Sequence, residues 1–426
     1  MAENMTEEDL QSLVGILVDQ AVSYVDTEIG PQRALASSYY RGDLFGDEEE
    51  GRSQVISRDV RDTVQQMLPP LVRIFWGGQK VVEFLPQSAE DVAAAEQATD
   101  YVNYIMTQDN PGFLLFYQCF KDALIRKTGV WKAWYDTSEK TKTERFSGVD
   151  EGTLAVLGAE EGTEIEQATQ VAEGVFDVVV KRTTTEGRVK VAVVPPEELL
   201  INSNARDAES AILIGHRCLK TRSDLVAMGY DREEIEELPD DTEDLEASEE
   251  ILARRDHSTY EADETTHATE LLTYYELYVR VDLDGDGIAE LRRICCVGAN
   301  KRILSNEEWD VPPFAVICPD PEYYSIVEGQ SVADMTMDIQ RIKSTLMRNA
   351  LENLYLTNTP RMEVVESAIS DMDDLLNNEV GGIVRVKHSG SITPLTVPFT
   401  AAASMPMLEF MDSVKEQRTG VTKAAV

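Results

Sequence analysis

The stretch of this 426-residue chain with the clearest metal-binding chemistry is DLDGDG, residues 282–287. Asp282, Asp284 and Asp286 have the spacing of the first three oxygen ligands of an EF-hand calcium loop, and a glycine follows where that loop turns sharply. The closing glutamate of such a loop belongs at the twelfth position, where this chain has Arg293. The motif is therefore the beginning of a calcium loop without its usual end.

Glu290 is the candidate substitute for the missing glutamate, at a different spacing. A calcium site here would combine Glu290 with the three aspartates. The alternative is a hairpin turn without a metal, because Asp and Gly both favour tight turns. Both interpretations, a calcium site and a turn without a metal, stay open. We expect that the protein does not require a cofactor.

Catalysis by these carboxylates is not expected. Two-metal phosphoryl-transfer sites need acidic residues from separate elements and a basic group for the phosphate, whereas these aspartates share one turn. The chain has no Walker-type loop, HExxH or GxSxG motif. Its histidines are scattered without metal-ligand spacing: His216, His257, His267 and His388. We therefore predict a protein that is not an enzyme.

The composition is strongly acidic, with 78 Asp and Glu against 39 Lys and Arg and a net charge of −39. Such a charge argues against an ordinary DNA-reading domain, whose affinity comes from Lys and Arg on phosphates. The five cysteines include no CxxC pair, which disfavours a disulfide scaffold and a zinc site. No apolar run approaches membrane-spanning length, and the acidic N-terminus does not resemble a signal peptide. We expect a protein made in a cytoplasm, with two or three structural units and no membrane partner.

The best-specified element is a long helix that begins after Ser331 and ends at Asn358. Ser331 and Asp334 have capping-box spacing, and Pro360 cannot continue a helix. Apolar residues at three- and four-residue steps predict one buried stripe: Val332, Met335, Ile339, Ile342, Leu346 and Leu354. The same steps predict a polar, solvated face: Asp334, Asp338, Arg341, Thr345, Arg348 and Glu352.

Similar patterns predict the other elements. Helices are expected at about 6–29 with Thr6 as cap, 60–68 stopped by Pro69 and Pro70, 88–106, 113–127, 221–229 with Thr221 as cap, 370–376 and 401–418. The acidic residues 231–256 are expected to form a solvated helix and loop, with two helices at 232–238 and 245–255 as the alternative. Strands are expected at 81–86, 129–136, 176–183 and 188–194 as a hairpin, 212–220, 271–304 as a hairpin, and 361–366. Residues 147–174 are predicted to be a peripheral insertion or a flexible excursion, and residues 381–395 a glycine-flanked hairpin or loop.

Three segments resemble portal proteins of tailed bacteriophages, of the short-tailed phage type. The most specific is residues 313–354, PFAVICPDPEYYSIVEGQSVADMTMDIQRIKSTLMRNALENL, where a proline-bounded strand leads through a Gly-x-Ser turn into a long helix. The others are residues 39–78, with a tyrosine-glycine turn and a Gly-Arg-Ser segment, and the helix that runs into RTGV at 418–421.

The resemblance implies an α+β fold assembled as a ring, with long stem helices, a mixed α/β wing and a small β-rich clip. The division that it implies is 1–221 wing, 222–256 first stem segment, 257–328 clip, 329–358 second stem helix, 359–400 wing strands and channel loop, and 401–426 channel helix and start of a crown. Residues 222–256 match least well, because Pro239 interrupts a continuous helix.

The resemblance also implies a ring, usually of twelve copies, at one capsid vertex of the virion, assembled in the host cytoplasm. Double-stranded DNA would pass through its centre during packaging and ejection. The implied partners are terminase, head-completion or tail adaptor proteins, and capsid and scaffolding proteins. The apolar stripe of the long helix would then pack against neighbouring copies.

Basic residues are candidates for contact with DNA in such a channel. Those in the loop are Arg385, Lys387 and His388, and those on the long helix are Arg341, Lys343 and Arg348. Their contacts with phosphates would be salt-sensitive and blind to sequence. The ordinary alternative is that they only increase solubility. Two other functions stay open: a calcium-binding adhesion or adaptor module built on DLDGDG, and a metal-dependent hydrolase.

Overall fold

The computed structural model describes residues 5–78, 80–159, 162–172, 175–239, 250, 254, 267–376 and 382–422, and it is mixed α and β, as predicted. The helices are α1 Glu7–Ser23, α2 Gly30–Arg41, α3 Asp59–Trp76, α4 Val92–Tyr104, α5 Gly112–Arg126, α6 Glu151–Ala159, α7 Arg222–Ala227, α8 Arg232–Glu236, α9 Val332–Asn358, α10 Met372–Leu376 and α11 Ala401–Thr419. Short π-helices at Tyr24–Ile29 and Ile105–Asp109 continue α1 and α4.

The strands pair in four antiparallel sheets, in the orders β2-β3-β1-β9, β4-β5-β6-β7-β8, β10-β11 and β12-β13. Their bounds are β1 Gly129–Asp150, β2 Thr163–Ala172, β3 Val175–Val194, β4 Leu199–Ile201, β5 Leu213–Thr221, β6 Leu271–Val281, β7 Glu290–Val297, β8 Arg302–Glu308, β9 Phe314–Ile317, β10 Asp320–Glu322, β11 Ser325–Gln330, β12 Met362–Val364 and β13 Ile392–Pro394.

The five-stranded sheet is covered on both faces. One face packs against α1, whose Leu10, Val14 and Val18 are buried with residues of β5, β6 and β7. The other face meets the four-stranded sheet, where Lys132 of β1 forms a buried ion pair of 2.5 Å with Glu276 of β6. The predicted hairpin around 282–287 is confirmed as β6 and β7. Because β5 pairs with β6, this sheet joins residues on both sides of the segment predicted as the first stem.

The long hairpin of β1 and β3 corrects two predictions. Residues 176–194 form one strand, not two, because β3 pairs continuously with β1 through the residues predicted as a turn. Residues 147–174 are not a simple excursion: their described part contains the end of β1, helix α6 and strand β2, which pairs with β3. Valines buried between these elements stabilise the hairpin, including Val149, Val178 and Val180.

Two further predictions fail around α3 and α4. Helix α3 continues through Pro69 and Pro70 to Trp76, with its buried apolar face at Val64, Leu68 and Val72 packed on α5. Residues 81–86 form no strand in the structure. Their extended backbone instead bonds to side chains of α4: the amide of Val81 donates to Asn103 at 2.6 Å, and that of Phe84 donates to Thr99 at 3.0 Å.

The long helix α9 lies where predicted, and its capping box at Ser331 and Asp334 is present. The predicted burial of its faces is wrong in part. Val332 and Ile339 are buried, but Ile342 and Leu354 are exposed. Thr336, Gln340, Ser344 and Arg348 are buried instead, although Arg348 was assigned to the solvated face.

That buried polar stripe binds the segment before α3. Gln340 accepts a hydrogen bond from the amide of Val60 at 3.0 Å and donates to the carbonyl of Tyr39 at 2.9 Å. Ser344 accepts from the amide of Ser57 at 2.9 Å. Periodicity cannot identify such a face, because a buried residue that hydrogen-bonds to backbone has the same polarity as an exposed one.

Asp59, the first residue of α3, connects α3 with α9 and α11. Its carboxylate is 2 % exposed and accepts hydrogen bonds from Lys343 at 2.7 Å, from Lys415 at 2.8 Å and from Ser57 at 2.5 Å. Lys343 also binds Asp412 of α11 at 2.7 Å. Burial alone would raise the pKa of Asp59, but the bonds from the two lysines and Ser57 outweigh it and lower that pKa below its usual value.

The segment predicted as the first stem, 222–256, is described only in part. Helices α7 and α8 are present at its start, and α7 has a capping box at Thr221 and Asp224. The predicted helix at 245–255 lies outside the described residues except for Glu250 and Arg254. Arg254 binds Glu197 and approaches Asp122, and Glu250 lies buried beside Arg33.

We predict that Asp59→Asn lowers the free energy of unfolding by about 3–5 kcal/mol, because it leaves two buried lysines without their shared counter-charge. Since the pKa of Asp59 is lowered in the folded state, the stability that it contributes is present above about pH 4 and is lost as the pH falls through the folded pKa. Chemical denaturation followed by tryptophan fluorescence, repeated across this pH range, measures both effects.

The matched control is Glu49→Gln, which removes an acidic partner of Arg52 in a pair that is more than half exposed. It should change the free energy of unfolding by no more than about 0.5 kcal/mol. Equal effects of the two substitutions would show that the Asp59 contacts do not hold the helices together.

Candidate functional site

The candidate site is the unit formed by α9, the loop 359–400 and α11. Helix α11 runs antiparallel to α9: Arg418 near its end binds Asp338 at 2.7 Å and the carbonyl of Met335 at 3.1 Å. At the opposite end, Asn353 of α9 lies beside the beginning of α11. The two helices are therefore held together at both ends by polar contacts.

Asn353 acts as the cap that α11 lacks, since the side chain of Thr400 makes no capping hydrogen bond. The Asn353 side-chain oxygen accepts from the amides of Thr400 at 2.9 Å and Ala401 at 3.1 Å, and its nitrogen donates to the carbonyl of Pro398 at 3.0 Å. Free amides at a helix start need such an acceptor. Asn353 thereby fixes the point where the loop returns to the helices.

The outer side of α9 stays exposed along its length. Helices α2, α3 and α5 cover one side and α11 another, but a strip between them is open to solvent: Asp338, Arg341, Ile342, Thr345, Asn349 and Leu356. These residues recur at three- and four-residue steps, so they form one continuous surface. The long helix is thus not enclosed within a single copy of the chain.

The three basic candidates on α9 differ in availability. Arg341 is exposed, with 58 % of its side chain accessible, and lies 3.5 Å from Asp47. The ammonium group of Lys343 forms ion pairs with Asp59 and Asp412, each at 2.7 Å. Arg348 binds Asp47 at 3.0 Å, Glu48, and the carbonyl of Val55 at 3.0 Å. The charges of Lys343 and Arg348 therefore hold the protomer together, and only Arg341 presents its charge at the surface.

The three basic candidates of the loop are all exposed. Residues 382–391 form a loop, and among them the structure describes one isolated β-bridge, between Ile369 and Val386. The loop is nevertheless ordered by backbone contacts: the amide of Lys387 donates to Ala368 at 2.8 Å, and the amide of Ser370 donates to the carbonyl of Arg385 at 3.2 Å.

The basic side chains of this loop are not engaged by carboxylates of the described residues. Among the described residues, Arg385 and His388 have no acidic partner within ion-pair distance, and the ammonium of Lys387 donates only to the carbonyl of Ser367, at 3.1 Å. A flexible cation without an acidic partner can bind a phosphate without first breaking an ion pair. The structure therefore brings Arg385, Lys387 and His388 together on one exposed loop, separate from Lys343 and Arg348.

The acidic turn brings Asp282, Asp284 and Asp286 together, with ligand atoms within 4.8 Å of one another. Each carboxylate already accepts backbone amides: Asp282 from Gly285 at 2.7 Å and from Gly287 at 2.9 Å, Asp284 from Asp286 at 3.0 Å, and Asp286 from Ile288 at 2.7 Å. Gly285 and Gly287 have φ of 72° and 90°, which suits glycine. These are hydrogen bonds between Asp side chains and nearby backbone amides, which are typical of Asp-rich turns.

The remaining ligands of a calcium loop do not fit. Glu290 begins β7 opposite Val281 and lies outside the group of three aspartates. Arg293, at the twelfth position, is a strand residue that binds Glu307 at 3.2 Å and lies 3.4 Å from Glu276. An EF-hand loop needs a bidentate carboxylate there, so the residues present do not complete a calcium site.

Sequence reasoning missed the residues that position the loop, namely Asn353, Gln340 and Asp59. One signal was available for Asp59, which follows the Gly-Arg-Ser segment and begins α3. No local pattern marks Asn353, because it caps a helix that begins 48 residues later. None of the helices among the described residues combines the length and the hydropathy needed to span a bilayer.

The chain was compared with known proteins. A search of curated proteins found no match. A family model described as the phage SU10 portal protein matches residues 10–426, nearly the whole chain, and it confirms the resemblance carried by residues 39–78, 313–354 and 418–421. Phage portal proteins are structural, oligomeric components of the virion rather than enzymes, which agrees with the prediction of no catalysis. The chain therefore belongs to the SU10 phage portal protein family.

Proposed function

We propose that copies of this chain form a ring, of twelve subunits, at one capsid vertex, and that double-stranded DNA passes through its centre during packaging and ejection. The family match supports the portal function. The observation that carries the finer proposal is the exposed basic loop beside the α9–α11 pair. A helix pair anchored to the body of the protomer holds cations in a fixed place on a chain that is otherwise strongly acidic.

The charge distribution of the proposed channel would allow a DNA duplex to move through it. An acidic lumen repels phosphates and gives the duplex no continuous surface to bind. Arg385, Lys387 and His388, with Arg341 as a further contact, would bind phosphates transiently and without regard to sequence. Lys343 and Arg348, the other two predicted contacts, are left out of this proposal because acidic side chains of the protomer already engage them.

We further propose that the domain division follows the portal pattern: wing 1–221, first stem 222–256, clip 257–328, second stem 329–358, wing strands and channel loop 359–400, and channel helix with the start of a crown 401–426. The five-stranded sheet of β4–β8 would then link wing and clip. Terminase would dock on the ring first, and head-completion or tail adaptor proteins would replace it. Capsid and scaffolding proteins would hold the ring in the vertex, after its assembly in the host cytoplasm.

The ring itself is tested by the mass of the purified chain. We expect mass photometry and negative-stain images to show closed rings of twelve copies with a central opening wide enough for a duplex. The physical reason is that apolar side chains exposed in the protomer, such as Ile342 and Leu354 of α9, would be covered by a neighbouring copy. A monomer at every protein concentration would contradict the proposal.

The DNA contact is tested by Arg385→Gln with Lys387→Gln in the assembled ring. We expect weaker binding of a short blunt duplex and a shallower dependence of affinity on salt, by about one unit of log–log slope for each phosphate contact removed. Fluorescence anisotropy over a salt series measures both quantities.

Arg52→Gln with Lys80→Gln is the charge-matched control, because both side chains are exposed and lie outside the loop. It should leave the slope unchanged. If the control and the loop variant reduce binding equally, the loop has no special contact with DNA.

Neither the structure nor the comparisons support the calcium-binding adhesion or adaptor module or the metal-dependent hydrolase. We therefore expect Ca²⁺ at about 1 mM, enough for weak extracellular sites, to leave the melting temperature unchanged. The reason is that the three aspartates are satisfied by the turn and that Arg293 replaces the closing ligand. Differential scanning fluorimetry with Ca²⁺ and with a chelator measures this, and Asp284→Ala serves as the site-specific control. A rise with Ca²⁺ that Asp284→Ala removes would overturn this assignment.

A further inference from the structure

A cluster of exposed apolar side chains lies on α3 and α5, away from the loop and the acidic turn. We name it the aromatic ridge and define it by Ile74, Phe75, Phe113, Leu114 and Tyr117. Ile74 is 73 % exposed and Leu114 is 52 % exposed, and the three aromatic side chains are each more than a third exposed. Neighbouring segments add further exposed apolar residues: Val82, Phe84, Leu85, Tyr101 and Tyr104.

The ridge is rigid because its inner side is part of a core. Phe75 stacks on Phe116 with ring centroids 5.0 Å apart, and Phe113 stacks on Tyr117 at 6.4 Å. Phe116 and Phe120 beneath them are buried, and Phe116 meets Trp131 edge to face at 4.6 Å. The outer rings are thus held in place before any partner arrives, which reduces the entropy lost on binding.

The ridge carries no charge. Residues 112–120, GFLLFYQCF, contain no acidic or basic side chain, on a chain with a net charge of −39. Aromatic enrichment and depletion of charge distinguish the buried centre of a protein interface from the rest of a surface. Exposed apolar side chains that cluster, rather than occurring singly, mark interaction sites.

We propose that the aromatic ridge is a contact with the neighbouring copy in the ring. This inference rests on the proposed ring, and it adds the surface on which copies meet. A closed ring joins two different faces of each copy, and the ridge supplies one of them.

The charge of the chain favours a second copy as the occupant. Two copies of −39 repel each other, so contact between them needs a surface from which carboxylates are absent. A partner of opposite charge would instead be attracted by carboxylates, of which the chain has 78 against 39 Lys and Arg. A specific interface buries about 800 Å² on each partner, and aromatic side chains of 150–250 Å² each can form its centre.

The test is Leu114→Glu, compared with wild type by mass photometry across a range of protein concentrations. Leu114 is half exposed in the protomer, so the substitution should leave folding intact, as circular dichroism and the melting temperature will show. We expect the concentration needed for half-maximal ring assembly to rise at least tenfold. Leu114→Gln should raise it by a smaller factor, because it removes the apolar contact without adding charge.

Val156→Glu is the matched control, with the same change of charge at a residue of α6 that is 62 % exposed and outside the ridge. It should assemble like wild type. If Leu114→Glu also assembles like wild type, or if both variants are equally impaired, the ridge is not the contact between copies. Rings of Leu114→Glu that fail to bind a capsid or terminase protein would likewise overturn it and assign the ridge to that partner.

The same series separates the two proposals. Wild-type protein that forms no rings overturns the ring and, with it, the ridge contact. Wild-type rings together with normal rings of Leu114→Glu overturn the ridge contact alone.

Discussion

The position of α9 depends on hydrogen bonds that its buried polar stripe makes to the backbone before α3. Gln340, Ser344 and Arg348 recur every four residues and meet main-chain groups of Tyr39, Val55, Ser57 and Val60. Those main-chain groups lie outside any helix or sheet ladder or at a helix end, so the hydrogen bonds would be lost if α9 moved. A helix that packs only through an apolar stripe can shift along its axis. Hydrogen bonds to fixed backbone groups allow only one position of α9 along the segment before α3. This constraint places a long helix at a defined height on the protomer.

The position of the basic loop, which carries Arg385, Lys387 and His388, is determined by α9. Asp59 joins α3, α9 and α11 through two lysines, and Asn353 fixes the beginning of α11 to the end of α9. Between these two points the loop leaves one helix and returns to the other, so its cations project from a framework that is braced at both ends. For the proposed contact with DNA this arrangement is suitable, because flexible basic side chains on a rigid base can bind phosphates without deforming the proposed ring.

Local signals in the sequence were sufficient for part of this structure. The capping boxes at Thr6, Thr221 and Ser331 are all present, because each depends on side chains three residues apart. The hairpin around the acidic turn was also predictable, from alternation and from glycine. Three other features could not be predicted, because tertiary contacts determine them: the buried polar stripe of α9, the uninterrupted strand β3, and the continuation of α3 through two prolines. The loop cations were identified from the sequence, but the ion pairs that occupy Lys343 and Arg348 could be seen only in the structure.

The net negative charge that would suit the proposed DNA channel opposes the assembly of the proposed ring. Each added copy brings 39 further negative charges, and repulsion between copies grows as the ring closes. Assembly therefore has to come from surfaces where charge is absent or already paired within the protomer. The structure contains both kinds: the aromatic ridge has no charged side chain, and Lys343 and Arg348 are neutralised before copies meet. Added salt should therefore have two opposite effects on the proposed ring. It should strengthen assembly by screening the repulsion between carboxylates of neighbouring copies, and it should weaken the binding of the loop to DNA.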